Sequence, residues 1–266
     1  TGAAPRVTYT GIYTQEKASS SFELLSDYAD YMELFNMAQL SSNPKAVTTY
    51  SQEAIDGWRN AKNNPNGIYT DPDNGTQIPN WLAFPNTNWS DILFAPNYSQ
   101  KHNVSISGGS SNSNYLLSLG YFDNPGTLEN TGIDRFNLRV NVESRVNKFL
   151  KVGTQTYAMR QRKDPGDLSQ VNTYRFQTVA GIYPYYEGKY GAPENLQEKS
   201  DVRNPIKDVN ARGGVNTTTR INTTWFADLD IWDGLTARAS INYQNYFYDG
   251  KTYSQHLDGY SFRTGI

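Results

Sequence analysis

The 266-residue chain has no cysteine and only two histidines, His102 and His256. Without thiols there is no disulfide framework and no thiolate metal site, although an oxidising compartment is still permitted. Two imidazoles so far apart form no metal or nucleophilic constellation, and no serine sits in a Gly-x-Ser-x-Gly elbow. Nothing in the sequence implies a cofactor. There is also no run of about 18 apolar residues, which excludes a helical membrane span. Net charge is only −2, so there is no electrostatic case for nucleic acid. The N-terminus, Thr1-Gly2-Ala3-Ala4-Pro5, carries neither a basic segment nor an apolar core, and the chain reads as an internal piece of a longer protein.

Aromatics are abundant: they make up 14% of the chain, and 20 of them are tyrosines. A mean hydropathy of −0.70 does not exclude a membrane β-barrel, because each strand shows lipid only half its residues and the loops are polar. In 113–122, Tyr115, Leu117, Leu119 and Tyr121 alternate with Asn114, Leu116, Ser118 and Gly120. The split is cleaner in 135–143, where Phe136, Leu138, Val140 and Val142 share one face and Arg135, Asn137, Arg139, Asn141 and Glu143 the other. Alternation alone establishes a half-buried sheet, soluble or not.

The same pattern predicts seven strands, at 6–14, 101–109, 114–122, 133–143, 149–162, 217–231 and 235–248. A long insertion after the first contains two helical stretches, 22–40 and 52–61, the second after a Ser51 cap. An aromatic, proline-punctuated loop, 64–98, follows them. A second excursion spans 163–216. Asp123-Asn124-Pro125-Gly126 and Trp232-Asp233-Gly234 have turn chemistry. Strands two to three, four to five and six to seven are joined tightly, whereas one to two and five to six are joined by very long segments. A membrane barrel sorts its connections by parity in this way; a soluble sandwich has no reason to. Seven strands leave free edges whose backbone groups would each cost several kcal/mol in hydrocarbon, so further strands are expected elsewhere in the parent protein.

The segment Gln100-Lys101-His102-Asn103-Val104-Ser105-Ile106-Ser107-Gly108-Gly109 and the strand Asn114 to Phe122 strongly resemble the SusC/RagA-type TonB-dependent outer-membrane transporters. The likeness continues through Gly126, Asn130, Gly132, Arg135-Phe136-Asn137-Leu138-Arg139 and Asn147-Lys148-Phe149-Leu150-Lys151-Val152-Gly153. Pro85-Asn86-Thr87-Asn88-Trp89 looks like the family's proline, asparagine, aspartate, tryptophan signature, with Asn88 in place of the aspartate. Together these motifs cover about a quarter of the chain. The resemblance implies an all-β fold, a transmembrane antiparallel up-and-down barrel of 22 strands with a plugged lumen. Residues 1–266 would be the N-terminal part of the barrel domain, and 15–99 and 163–216 two long extracellular loops. It also implies the outer membrane of a Gram-negative bacterium, a SusD-like surface lipoprotein as partner, energy from TonB, and import of a glycan or peptide without bond chemistry.

On that reading Arg135, Asn137, Arg139, Asn141, Arg238 and Asn242 face the lumen, and the two arginines either attract acidic ligands or pair with plug carboxylates. Trp81, Trp89, Tyr183, Tyr185 and Tyr186 are candidates to stack on sugar rings or peptide side chains. The bland alternative is that they form the loops' own cores or the lipoprotein's docking surface. Tyr121, Trp225, Trp232 and Tyr243 suit a membrane-interface belt. Asp71-Pro72-Asp73-Asn74-Gly75 hints at calcium but fails the EF-hand test and reads as a plain turn. Two rival functions are a secreted all-β carbohydrate-binding module, which would be soluble with a polar outer face, and a surface hydrolase. The hydrolase would need a convergent acid and base pair that the sequence does not supply.

Overall fold

A computed structural model describes residues 3–19, 24–166, 176–194, 198 and 202–265. In chain order its elements are β1 (Ala3–Glu16), α1 (Tyr28–Ser42), α2 (Gln52–Asn63), β2 (Ile68–Thr70), β3 (Gln77–Pro79), α3 (Asn80–Ala83) and α4 (Trp89–Leu93). Next come β4 (Asn97–Gly109), β5 (Ser113–Asn124), β6 (Thr131–Arg145), β7 (Leu150–Pro165), β8 (Tyr185–Tyr186) and β9 (Lys189–Gly191). The last are α5 (Pro205–Ala211), β10 (Arg212–Trp232), β11 (Leu235–Ser254) and β12 (Gly259–Tyr260). They form two compact units, one holding the large sheet and the other built from the two long connections and the C-terminal residues.

The large sheet is a seven-stranded meander in the order β1-β4-β5-β6-β7-β10-β11, and it does not close on itself. All seven strands expected from alternation are present. From β1 through β4, β5, β6 and β7 to β10 each neighbouring pair is antiparallel, and the registers keep each parity class on one face. Thus Val104, Leu119, Leu138, Ala158 and Ile221 form one cross-strand row, while Asn103, Gly120, Asn137, Met159 and Arg220 form a row on the opposite face. A slip of one residue would move every side chain to the wrong face, so the pattern fixes the register.

β10 and β11 run further than expected, through 212–216 and 249–254. Ladder hydrogen bonds between backbones need no apolar side chains, and alternation has nothing to read where both faces are polar.

The connections at one end of the sheet are 110–112, 146–149 and 233–234, and at the other 17–96, 125–130 and 166–211. Local chemistry sets the short ones. Asn147 Oδ1 accepts from the N–H groups of Phe149 and Leu150 at 2.8 and 2.9 Å, and Gly234 supplies φ of 87°. At the other end Asn124 Oδ1 accepts the N–H of Gly126, whose φ is 80°.

In the second unit α1 begins at Tyr28 rather than at residue 22, because Asp27 caps it by accepting the N–H of Asp30; residues 20–23 lie outside the described set. α2 begins at its expected Ser51 cap. The stretch read as a plain loop, 64–98, contains β2, β3, α3 and α4, each too short for periodicity to reveal. The turn at 71–75 is held by Asp71 Oδ1, which accepts from Asp73 and Asn74 N–H at 2.9 and 3.0 Å. The core holds Tyr28, Met32, Ile55, Trp58, Leu93, Ile182 and Val209, all nearly inaccessible to solvent.

Candidate functional site

On the polar face of the sheet, Lys101, Asn103, Ser105, Ser118, Arg135, Asn137, Arg139 and Tyr157 line a recess of about 620 Å³. The register explains their convergence: Lys101, Phe122 and Arg135 lie in one row, and Ser105, Ser118, Arg139 and Tyr157 in another. Asn137 folds over Gly120, where an added Cβ would stand 2.6 Å from its amide. Arg135 lies 5.5 Å over the Phe122 ring, and its buried Nε has no hydrogen-bond partner among the described residues. Neither Arg135 nor Arg139 pairs with a carboxylate among those residues. Asn141 lines a smaller recess of about 160 Å³ with Glu143, Gln155 and Phe226.

The remaining two lumen candidates hold other wall residues. Arg238 binds Asp228 through Nε at 2.5 Å and Nη2 at 2.8 Å, and Lys151 Nζ lies 3.2 Å from the same carboxylate. Both cations also lie over the Phe226 ring, Arg238 at 4.9 Å and Lys151 at 6.0 Å from its centre. Asp230 takes Arg145 and Thr236 at 3.1 and 2.8 Å. Asn242 donates to Asn222 and Thr224 at 2.8 and 2.7 Å. Asp228 and Asp230, near the short turns, are therefore matched by cations, while Lys101, Arg135 and Arg139 in the large recess form no ion pair among the described residues. Lys101 and Tyr157 were missed from sequence, though their parity on neighbouring strands would have found them.

The five loop aromatics separate into different roles. Trp89 is only 2% exposed and its indole N–H donates to Val179 O at 2.7 Å, so it belongs to the unit's interior. Trp81, Tyr183 and Tyr186 form a cluster with ring centroids 5.4 to 6.3 Å apart, and Phe262 packs against both tyrosines at 6.2 and 6.1 Å. Tyr185 is 51% exposed and lies 4.9 Å from Tyr190. Beside them Lys189 Nζ stands 3.6 Å from the centre of the Tyr260 ring. Trp81, Tyr183 and Tyr186 are half-buried, so each keeps part of its surface open.

Buried carboxylates hold this unit together. Glu198, 5% exposed, accepts hydrogen bonds on Oε1 from the hydroxyls of Tyr28 and Tyr50, the latter at 2.5 Å. Burial raises the Glu198 pKa above the usual carboxylate value, against the pull of both hydroxyls and of Arg263. The Tyr50 phenol is raised as well, by burial and then by the hydrogen bond to Glu198. Glu194 accepts from Ser261 Oγ at 2.6 Å and from Phe262 N–H at 3.0 Å, while the Arg263 guanidinium lies 4.9 Å over Trp58.

The signature 85–89 is a fastening point. Pro85 O accepts the Trp58 indole at 3.0 Å, and Asn86 Oδ1 accepts the Tyr28 N–H at 2.8 Å. Thr87 donates its N–H to Ala180 O and its hydroxyl to Ile182 O at 2.9 and 2.6 Å. Asn88 caps α4 by accepting from Ser90 N–H, the role an aspartate would serve equally. Both long connections are therefore tied through this pentapeptide.

No protein-family model matches the chain. Among curated proteins, TonB-dependent receptor P3 of Formosa agariphila is 27% identical over 179 residues, covering 62% of this chain and 17% of its own length. TonB-dependent receptor SusC of Bacteroides thetaiotaomicron is 40% identical over 68 residues, 26% of this chain and 7% of that protein. Among solved structures, the RagAB peptide transporter covers 94% of this chain at a TM-score of 0.57 and 18% identity, and this chain spans 28% of the solved one. The RagAB peptide importer in its 'open-open' state gives 0.55 at 17% identity. At such identities the structural likeness carries the fold, and the chain spans less than a third of the proteins it matches. Curated relatives and fold neighbours together bear out the resemblance to the SusC/RagA-type TonB-dependent transporters, over a stretch of their barrel wall and its loops.

Proposed function

We propose that this chain forms part of an outer-membrane active importer for a large nutrient ligand, a glycan or a peptide, working with a SusD-like surface lipoprotein and energised by TonB. The observation that carries the proposal is the two-faced sheet with parity-sorted connections. One face presents Val7, Tyr9, Leu119, Phe136 and Ile241, all at least half exposed, and a soluble sheet would hardly leave so much apolar surface in water. The other presents amides, hydroxyls and arginines, as a solvated lumen requires. In this reading 17–96 and 166–211 are extracellular, and the open edges β1 and β11 pair with further strands.

Cargo contact falls to Trp81, Tyr183, Tyr185 and Tyr186, which offer ring faces beside hydroxyls; Trp89 supports them from the interior. Arg135, Asn137, Arg139 and Asn141 line the route, with Lys101 and Tyr157, while Arg238 and Asn242 brace the wall. The names of the curated relatives, TonB-dependent receptors, support the energy source, and the peptide importer among the fold neighbours supports the cargo class.

The test uses the full-length protein purified in mild detergent. It is expected to migrate faster on a gel before heating than after, to bring down a lipoprotein, and to mediate uptake that a protonophore stops. A detergent-independent, monomeric chain that binds glycan but transports nothing would support the carbohydrate-binding module instead.

A further inference from the structure

The apolar face is not uniform. The register sets His102, Tyr121, Phe136, Arg160 and Thr219 in one cross-strand row and Val104, Leu119, Leu138, Ala158 and Ile221 in the next. Ala158 and Thr219 are short side chains between large ones. They leave a groove of about 530 Å³ walled by Phe136 and Leu138 on one side and Ile221 on the other, within the range that holds small ligands.

A cation stands at the loop-ward end of this groove. Arg160 is exposed and makes no ion pair among the described residues, whereas its neighbour on the same face, Arg162, takes Asp164 at 3.4 Å. The imidazole of His102 is already engaged on both nitrogens, by the Tyr9 hydroxyl at 2.8 Å and by Gln100 at 3.3 Å. It also stacks between Tyr9 and Tyr121, with Phe136 4.7 Å beyond. Such an aromatic row belongs at headgroup depth, and an arginine there lays its stem on apolar surface while its head reaches the interface. Asp134 lies opposite Arg162, one row further toward the loops. Among the described residues that line the groove, none is an acid that would pair with Arg160.

We propose that this groove binds one membrane lipid, its acyl chain along Leu138, Ala158 and Ile221 and its net-negative headgroup on Arg160. The inference rests on the membrane reading of the sheet given under the proposed function. Charge complementarity selects the occupant: an apolar trough alone would take any acyl chain, and the Arg160 guanidinium at its mouth, without an ion pair among the described residues, favours an anionic headgroup.

The full-length protein would be mixed with phosphatidylglycerol or phosphatidylcholine in detergent and retained lipid counted by native mass spectrometry. Wild type is expected to retain phosphatidylglycerol several-fold better. Arg160→Gln is expected to equalise the two lipids, and Ala158→Leu, which fills the trough, to lower retention of both. Equal retention by wild type, or a preference that survives Arg160→Gln, overturns the site. Insertion into phosphatidylcholine vesicles is measured on the same preparations. A protein that fails to insert overturns the membrane reading along with the site, whereas one that inserts normally but shows no preference overturns the site alone.

Discussion

At the scale of single residues, the loop unit depends on polar groups placed where water does not reach. Tyr50 donates a hydrogen bond to a buried carboxylate, an interaction worth about 1.5–3 kcal/mol when one partner is charged. Tyr50→Phe is expected to destabilise the loop unit by about that much, read as lost hydrogen-exchange protection around Trp58 while the sheet is unaffected. Glu198 gives this unit a pH dependence. Its folded pKa stands above the unfolded value of 4.5, so its stabilising contribution is complete below that value and is lost as pH rises through the folded pKa. After correction for intrinsic exchange rates, protection in the unit is expected to fall as pH rises from about 4.5. Glu198→Gln, which keeps an acceptor for both tyrosines, should flatten that slope; parallel slopes in the two proteins would contradict the assignment. None of this was legible in the sequence, because Glu198 meets Tyr28 and Tyr50 across very long separations. Trp89 shows the same limit. Its place in a family signature was visible, but whether it faced a ligand or Val179 O was not.

Elements divide by length in how well sequence reveals them. The sheet strands carry enough alternating positions for their existence, faces and pairing to follow from period two. The short pieces between 64 and 98 do not complete two turns or two repeats, so only packing defines them. α2 was legible from its cap and face, while α1 starts later than its apolar spacing suggested because Asp27 ends the preceding coil.

Glycines in the sheet mark close approaches rather than weak strands. At Gly153 an added Cβ would collide with the Phe226 ring and come within 2.8 Å of Val142 O, a backbone atom that cannot swing away. Gly153→Val is expected to displace Phe226 from its contacts with Lys151 and Arg238, at about 1–3 kcal/mol for overpacking. The check is the temperature at which the full-length barrel loses its fast-migrating form. A lower temperature supports the close-approach account, and an unchanged one would mean that the ring moves aside freely.

For the molecule as a whole, the proposed importer gives the two faces of one sheet unequal solvents. The class of fold was legible in the sequence because a half-lipid, half-water wall imposes alternation and sorts connections by side; the cargo was not, because ring faces suit sugars and peptides alike. A cation placed at the bilayer midplane of a barrel's lipid face costs about 2–4 kcal/mol, and on a solvated lumen face it costs little. Val140→Arg, deeper on the same face, is therefore expected to lower the folded fraction on insertion into vesicles, whereas its sequence neighbour Asn141→Arg should leave it nearly unchanged. Similar losses from both would mean that each face meets packed protein.

The most direct measurement places nitroxide labels singly at 137, 138, 241 and 242 of the full-length protein in bilayers and compares relaxation by oxygen, which concentrates in lipid, with relaxation by a water-soluble nickel chelate. The account predicts oxygen access at 138 and 241 and nickel access at 137 and 242. Labels at 138 and 241 shielded from both reagents would contradict it, because those side chains would then be packed against protein.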